Sequence, residues 1–123
     1  MKVEVERCLR SLEADGAVVR AAFAFSPQLE VFAGHFPDRP LVPGVWLLEA
    51  VRYACARARG ADLRLARVRS AKFVAELRPG DVARLRATVE EDGTCRARLH
   101  RGDEVVARFR IAFAEEAACT ASS

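Results

Sequence analysis

Residues 43–59 constrain the rest of the chain more than any other stretch. Pro43 suits the first turn of a helix, where its missing N–H is no loss, and Gly60 is a natural stop. The roughly 16 residues between them would form a helix about 24 Å long. Val45, Trp46, Leu47, Leu48, Ala50, Val51, Tyr53, Ala54 and Cys55 fall all round that cylinder, broken only by Glu49 and Arg52, and beyond Ala56 charge returns at Arg57 and Arg59. A helix with no polar stripe is expected to be buried on every side. Something must wrap it, and the remaining sequence offers strands.

Val3–Leu12 and Ala17–Phe25 flank Asp15-Gly16 and read as a hairpin. Ser26–Pro43 carries Pro27, Pro37, Pro40 and Pro43, with Gly34 and His35, and reads as a loop shaped by proline. Leu63–Leu77 reads as a long extended run closed by the turn Pro79-Gly80-Asp81. Val82–Glu90 and Thr94–Arg101 alternate apolar and charged residues, with turns at Gly93 and Gly102-Asp103. In the last strand Val105, Ala107, Phe109, Ile111 and Phe113 are assigned to the inner face. The expectation is one α+β domain over residues 1–114, an antiparallel sheet wrapped round a single helix at about residues 43–59. Residues 115–123 read as a flexible tail.

Composition narrows the function. Half the residues are hydrophobic (51%), enough for a core, and no run approaches the roughly 20 apolar residues of a membrane helix. Met1–Arg7 lacks the apolar centre of a secretory signal, so the expectation is a cytoplasmic protein without membrane attachment. Lys plus Arg (20) barely exceeds Asp plus Glu (17). The arginines read as scattered among acids rather than gathered on one face, with no basic and aromatic surface to trace, so nucleic acid is set aside as a partner. Cys8, Cys55, Cys95 and Cys119 form no CxxC pair, and with only two histidines no metal site is expected. All four read as unpaired thiols, two or three of them core filler.

Few side chains are left for chemistry. Glu49 interrupts the apolar helix, so its carboxyl is paired, protonated or turned toward a cavity, and Arg52 stands three residues on. His35, in the proline-rich loop, is the side chain best suited to proton transfer near neutral pH, although a loop histidine bonded to backbone fits as well. His100 shares a wet strand face with Arg96 and Arg98 and is assigned to the surface. Pro43-Gly44-Val45 opens the helix, where free amides and the positive dipole end suit a developing oxyanion. Base, acid and carbonyl-polarising amide together suit removal of a proton α to a carbonyl with loss of a β-leaving group.

The stretch from Gly34 to Ala50, GHFPDRPLVPGVWLLEA, closely resembles the GHFPxxPxxPGVxxxEA signature of β-hydroxyacyl-acyl-carrier-protein dehydratases, with the acid 14 residues after the histidine. Ala71-Lys72-Phe73 followed by Pro79-Gly80-Asp81 is a weaker second match. The resemblance implies a hotdog fold and dehydration of a 3-hydroxyacyl thioester to the trans-2-enoyl thioester in fatty-acid, polyketide or aryl-polyene type synthesis. It implies His35 and Glu49 as the catalytic pair, facing each other across a homodimer or higher even oligomer. The amides of Gly44 and Val45 would hold the thioester oxygen, and Phe36, Trp46, Tyr53 and Phe73 would line an acyl tunnel, with Trp46 equally placed as core. No metal or other cofactor is expected; the acyl chain rides on the phosphopantetheine of an acidic acyl carrier protein, for which Arg39 and Arg78 are docking candidates.

Three features depart from the family pattern. Tyr53 stands where a Gln often orients the acid, so either its hydroxyl substitutes or the geometry at the carboxyl differs. Val74-Ala75 replaces a basic pair, and the chain is read as starting in its first hairpin without the usual helical lead. Two rival readings stay open: a thioesterase on the same fold, and a non-catalytic acyl-binding or heterodimer partner.

Overall fold

The computed structural model describes residues 2–29 and 41–115. Helix α1 (Lys2–Cys8) leads into a hairpin of β1 (Leu9–Asp15) and β2 (Val18–Ala24). Helix α2 (Gly44–Arg59) follows, then β3 (Leu63–Phe73), β4 (Val82–Val89), β5 (Thr94–Arg101) and β6 (Glu104–Glu115). The strands form one antiparallel sheet in the order β1-β2-β4-β5-β6-β3. The chain after α2 therefore crosses to the far edge as β3 and returns to pair β4 with β2. This is the expected α+β arrangement, with α2 packed on one face of the sheet.

Alternation along the strands builds the core. Ala83, Leu85, Ala87 and Val89 of β4, Cys95, Ala97 and Leu99 of β5, and Ala107, Phe109, Ile111 and Phe113 of β6 are all buried. They meet Leu47, Ala50, Val51, Ala54 and Cys55 in one hydrophobic cluster. Small residues sit between larger ones across the sheet, as in the row Val19, Ala87, Ala97, Phe109, which leaves room for the bulkier side chains to pack. Helix α2 ends where expected: Gly60 takes a left-handed φ of 63°, and the Ala61 amide donates back to the Ala56 carbonyl at 3.2 Å. At Gly93 (φ 94°) a Cβ would run into the Phe113 carbonyl, so only glycine fits that turn.

Five expectations change. Residues 2–8 are helical, not the start of a hairpin strand, so a helical lead is present after all. The run Lys2-Val3-Glu4-Val5-Glu6 alternates like a strand, yet the residues that bury are Val5 and Cys8, three apart on one helical face, while Val3 is 59% exposed. Helix α2 is not covered all round, because Val45 is 54% exposed and Leu48, Arg52 and Tyr53 are half-buried, leaving one open side. In β6 a register shift pairs His100 with Val105 and Leu99 with Ala107, so Val106 is the extra residue and is buried in place of Val105. The Val106 carbonyl accepts from the Val74 and Ala75 amides, which turns the chain away from the sheet after Phe73. Strand β6 also runs to Glu115, one residue into the assigned tail, and 116–123 lie outside the described residues.

The fifth change concerns charge. Arginines that look dispersed along the chain are brought side by side on the outer face of the sheet, because antiparallel register aligns the polar positions of successive strands. The described cysteines, Cys8, Cys55 and Cys95, are free and buried. A hydrogen bond from the Cys55 thiol to Cys95, together with burial, holds Cys55 well above its ordinary pKa, and burial raises that of Cys8.

Candidate active site

Glu49 sits in the second turn of α2 and is only 7% exposed. Arg52, one turn on, grips it with both arms of its fork: Nε donates to Oε1 at 2.9 Å and Nη2 to Oε2 at 2.6 Å. The third arm, Nη1, donates to the Leu63 carbonyl at 3.0 Å, so Arg52 ties the carboxylate to the start of β3. The hydrogen bond to Glu49, set against partial burial, holds the guanidinium above its already high pKa. Beside the pair lies a cavity of about 400 Å³ whose other walls include Lys2 and Glu6 of α1 and Asp62, Arg64 and Leu65. Of the three states open to Glu49 from sequence, pairing with Arg52 and facing a cavity are found together.

The start of α2 is built for close approach. Pro43 is extended (φ −61°, ψ 144°), and the first-turn amides of Gly44 and Val45 have no intrahelical carbonyl to reach. Phe73 from the edge strand β3 lies over this end: a Cβ on Gly44 would come within 2.7 Å of its ring. Gly44 thus makes room for the Phe73 ring, a reason for glycine that the motif does not reveal. Phe73 is itself 53% exposed and meets Phe109 edge-on, with ring centroids 5.6 Å apart. Trp46 is buried within the core cluster.

Tyr53 does not orient Glu49. Its hydroxyl accepts from Arg57 Nη1 at 2.7 Å, and the same guanidinium stands over the ring, 5.7 Å from its centroid. The carboxyl is oriented instead by Arg52, a residue weighed from sequence only as a charge partner. Arg78 is exposed, and its backbone N–H donates to Asp81 Oδ2 at 2.8 Å in the turn before β4. His35, Phe36 and Arg39 lie outside the described residues. Among the described residues no three His, Cys, Asp or Glu side chains gather closely enough to hold a metal, and no helix is long and apolar enough to cross a membrane.

The Arg52 arrangement predicts a measurable cost. Arg52→Ala leaves Glu49 buried without its partner and frees the Leu63 carbonyl, and unfolding in urea should show a loss on the order of 3 kcal/mol. A double-mutant cycle with Glu49→Ala should recover most of that loss, because no orphaned carboxylate remains. Stability within 0.5 kcal/mol of the parent (about the scatter expected of a surface change) would show that the pair holds nothing.

Comparison with known proteins gives the fold and the family. A family model described as ApeI-like, ApeI dehydratase, matches residues 11–110. The 3-hydroxyacyl-(acyl-carrier-protein) dehydratase FabZ of Lactobacillus helveticus is 38% identical over 69 residues, covering 50% of this chain and 47% of that protein. FabZ of Chlamydia trachomatis serovar L2 is 35% identical over 95 residues, covering 67% of this chain and 62% of its own. The chain thus spans about half to three-fifths of the length of these curated relatives. Among solved structures, the dehydratase heterocomplex ApeI:P from Xenorhabdus doucetiae superposes with a TM-score of 0.74 at 24% identity, covering 85% of this chain and 95% of that one. The E. coli PaaI protein from the phenylacetic acid degradation operon gives 0.64 at 15% identity, covering 90% and 89%. These two likenesses establish the hotdog fold. The family model spans the hairpin, α2 with Glu49, and nearly all of the sheet, and so places the chain in the ApeI-like dehydratase family.

Proposed function

We propose that this protein removes water from a 3-hydroxyacyl thioester to give the trans-2-enoyl thioester, the acyl chain being carried on the phosphopantetheine of a carrier protein. The observation that carries the reading is Glu49: a carboxyl group 7% exposed, beside a cavity, 14 residues after the motif histidine, in a chain of a dehydratase family. Neutral His35 takes the α-proton. The electron pair forms the new double bond as the C–O bond at the β-carbon breaks, and Glu49 delivers a proton so that the hydroxyl leaves as water. The Gly44 and Val45 amides stabilise charge on the thioester oxygen, an effect worth about 2.7–4 kcal/mol per donor in acyl-transfer sites.

Arg52 sets the condition for this chemistry. Its two contacts occupy both carboxyl oxygens, so a proton reaches Glu49 only in competition with the guanidinium. Substrate that fills the cavity and draws Arg52 aside would supply that condition.

The assembly we propose is a dimer through the β3 edge. Along this unpaired edge Val68 (45%), Phe73 (53%) and Val74 (61%) are exposed, near Val45 (54%) on the open side of α2. An unpaired sheet edge that exposes apolar side chains calls for a covering strand. A second copy is the occupant we favour, and the ApeI:P heterocomplex makes a related subunit the alternative. Arg39 and Arg78 are the proposed carrier contacts. The direct test is the mass of a 3-hydroxyacyl carrier protein after incubation: loss of one water supports dehydration, and loss of the acyl group makes the protein a thioesterase.

A further inference from the structure

The outer face of the sheet, opposite α2, carries a concentration of positive charge that the dehydratase reading does not use. One cross-strand row runs Arg20, Arg86, Arg98, Arg108, Lys72 through β2, β4, β5, β6 and β3. The next runs Thr88, Arg96, Arg110, Ser70, and Arg84 stands beside His100 in a third. All eight basic side chains are exposed, and none forms an ion pair with a described acid. The outward positions of β4 and β5 hold no Asp or Glu; the acids that border the face include Glu13 beyond Arg20, Asp15 beyond Val18 at the end of the Thr88 row, and Glu104, which Arg101 engages.

Such an arrangement is costly when empty. Guanidinium groups stay charged at any physiological pH, and like charges directly opposite each other across strands are destabilising. Strands lie about 4.8 Å apart and alternate residues about 6.8 Å apart along a strand, so the charges form a tight lattice. Between them lies a cleft of about 380 Å³, walled by Arg86, Arg96, Arg98, Arg108, Arg110 and Lys72, with the Ser70 and Thr88 hydroxyls at its edge. That volume falls in the range of small-molecule sites.

We propose that this cleft binds a compact polyphosphate: a ligand carrying two or more adjacent phosphate groups. Several forked guanidinium donors converge there with two hydroxyls, a set that suits tetrahedral phosphate oxygens better than single carboxylates. The row length favours linked phosphates over one. Single-stranded nucleic acid is disfavoured, because among the described residues no aromatic side chain projects from this face to stack a base; Phe109 points into the core. The site is separated from Glu49 by the sheet, so binding and turnover are separable.

The test is titration of the full-length chain with inorganic tripolyphosphate by calorimetry and thermal melting at 0.15 M salt, beside orthophosphate, anionic phospholipid vesicles and duplex RNA. The expected result is saturable binding of one tripolyphosphate per chain and a melting temperature raised by several degrees. Arg98→Gln and Arg108→Gln should each weaken binding at least tenfold, whereas Arg7→Gln and Arg10→Gln should not. The Arg98 and Arg108 variants should keep full activity on the thioester substrate. Equal binding by the Arg98 and Arg108 variants, or orthophosphate matching tripolyphosphate, would overturn the site as a mere ionic-strength effect. Binding to vesicles or duplex RNA without tripolyphosphate binding would also overturn it, assigning the face to a bilayer or to nucleic acid.

Discussion

Glu49→Gln and His35→Ala should each lower turnover by about 10²- to 10⁴-fold, the range for loss of a positioned acid or base. The glutamine variant is the sharper test. The amide keeps the shape of the Glu49 side chain and one oxygen able to accept from Arg52, so the tie to the Leu63 carbonyl through Nη1 has no reason to break. What it loses is a group that can give up a proton to the departing hydroxyl. The measurement is the initial rate on a trans-2-enoyl or 3-hydroxyacyl thioester, with circular dichroism and sedimentation showing that fold and assembly are kept. A Glu49→Gln rate within about threefold of the parent, well short of the loss expected for an acid or base, would leave Glu49 as a structural partner of Arg52 and nothing more.

Phe109→Ala carries the largest expected cost in stability, about 3–5 kcal/mol. Phe109 is 1% exposed in the middle of β6, and its removal opens a cavity beneath α2 that its neighbours on β5 and β6 cannot close. Against a total of roughly 5–15 kcal/mol for a domain, that leaves little margin. It also removes the edge-on support for Phe73, whose ring lies over Gly44, so residual folded protein should show weakened substrate binding as well. Urea unfolding should show a lower midpoint with an unchanged slope. Phe73→Ala, at a half-exposed position, should cost far less. A Phe109→Ala loss below about 1.5 kcal/mol, in the range of volume-conserving core swaps, would contradict the packing described.

The parts of this structure that can be read from sequence are those decided by short-range pattern. Strands β4 and β5 declare themselves because every second residue is apolar over eight positions, and glycines at 93 and 102 mark their ends. The limits of α2 follow from Pro43 and Gly60 in the same way. The bulge at Val106 escapes, because one inserted residue shifts the parity of a strand without changing its composition. Helix α1 escapes because seven residues of alternating charge and valine satisfy either period until tertiary burial chooses Val5 and Cys8.

At the site, the three-residue spacing of Glu49 and Arg52 is enough to suggest their contact, since residues so spaced adjoin on a helix. What the spacing cannot give is the third contact, to Leu63, which depends on where β3 begins. Tyr53 is a candidate for orienting Glu49 by its place on the helix face, but the nearer charge of Arg57 takes its hydroxyl. The role of His35 rests on its motif. The basic outer face lies beyond any one-dimensional reading, because the five basic residues of its longest row are spread from position 20 to position 108 and meet only through strand register.

The most direct measurement is the reaction itself, followed from both directions with the purified protein. Incubation of a 3-hydroxyacyl carrier protein should yield a species lighter by one water, and a short trans-2-enoyl thioester should lose its enoyl absorbance as it is hydrated, with no free thiol released in either case. An unchanged substrate in both directions, on carrier-protein and coenzyme A thioesters alike, would contradict the account and leave the chain as a non-catalytic hotdog subunit.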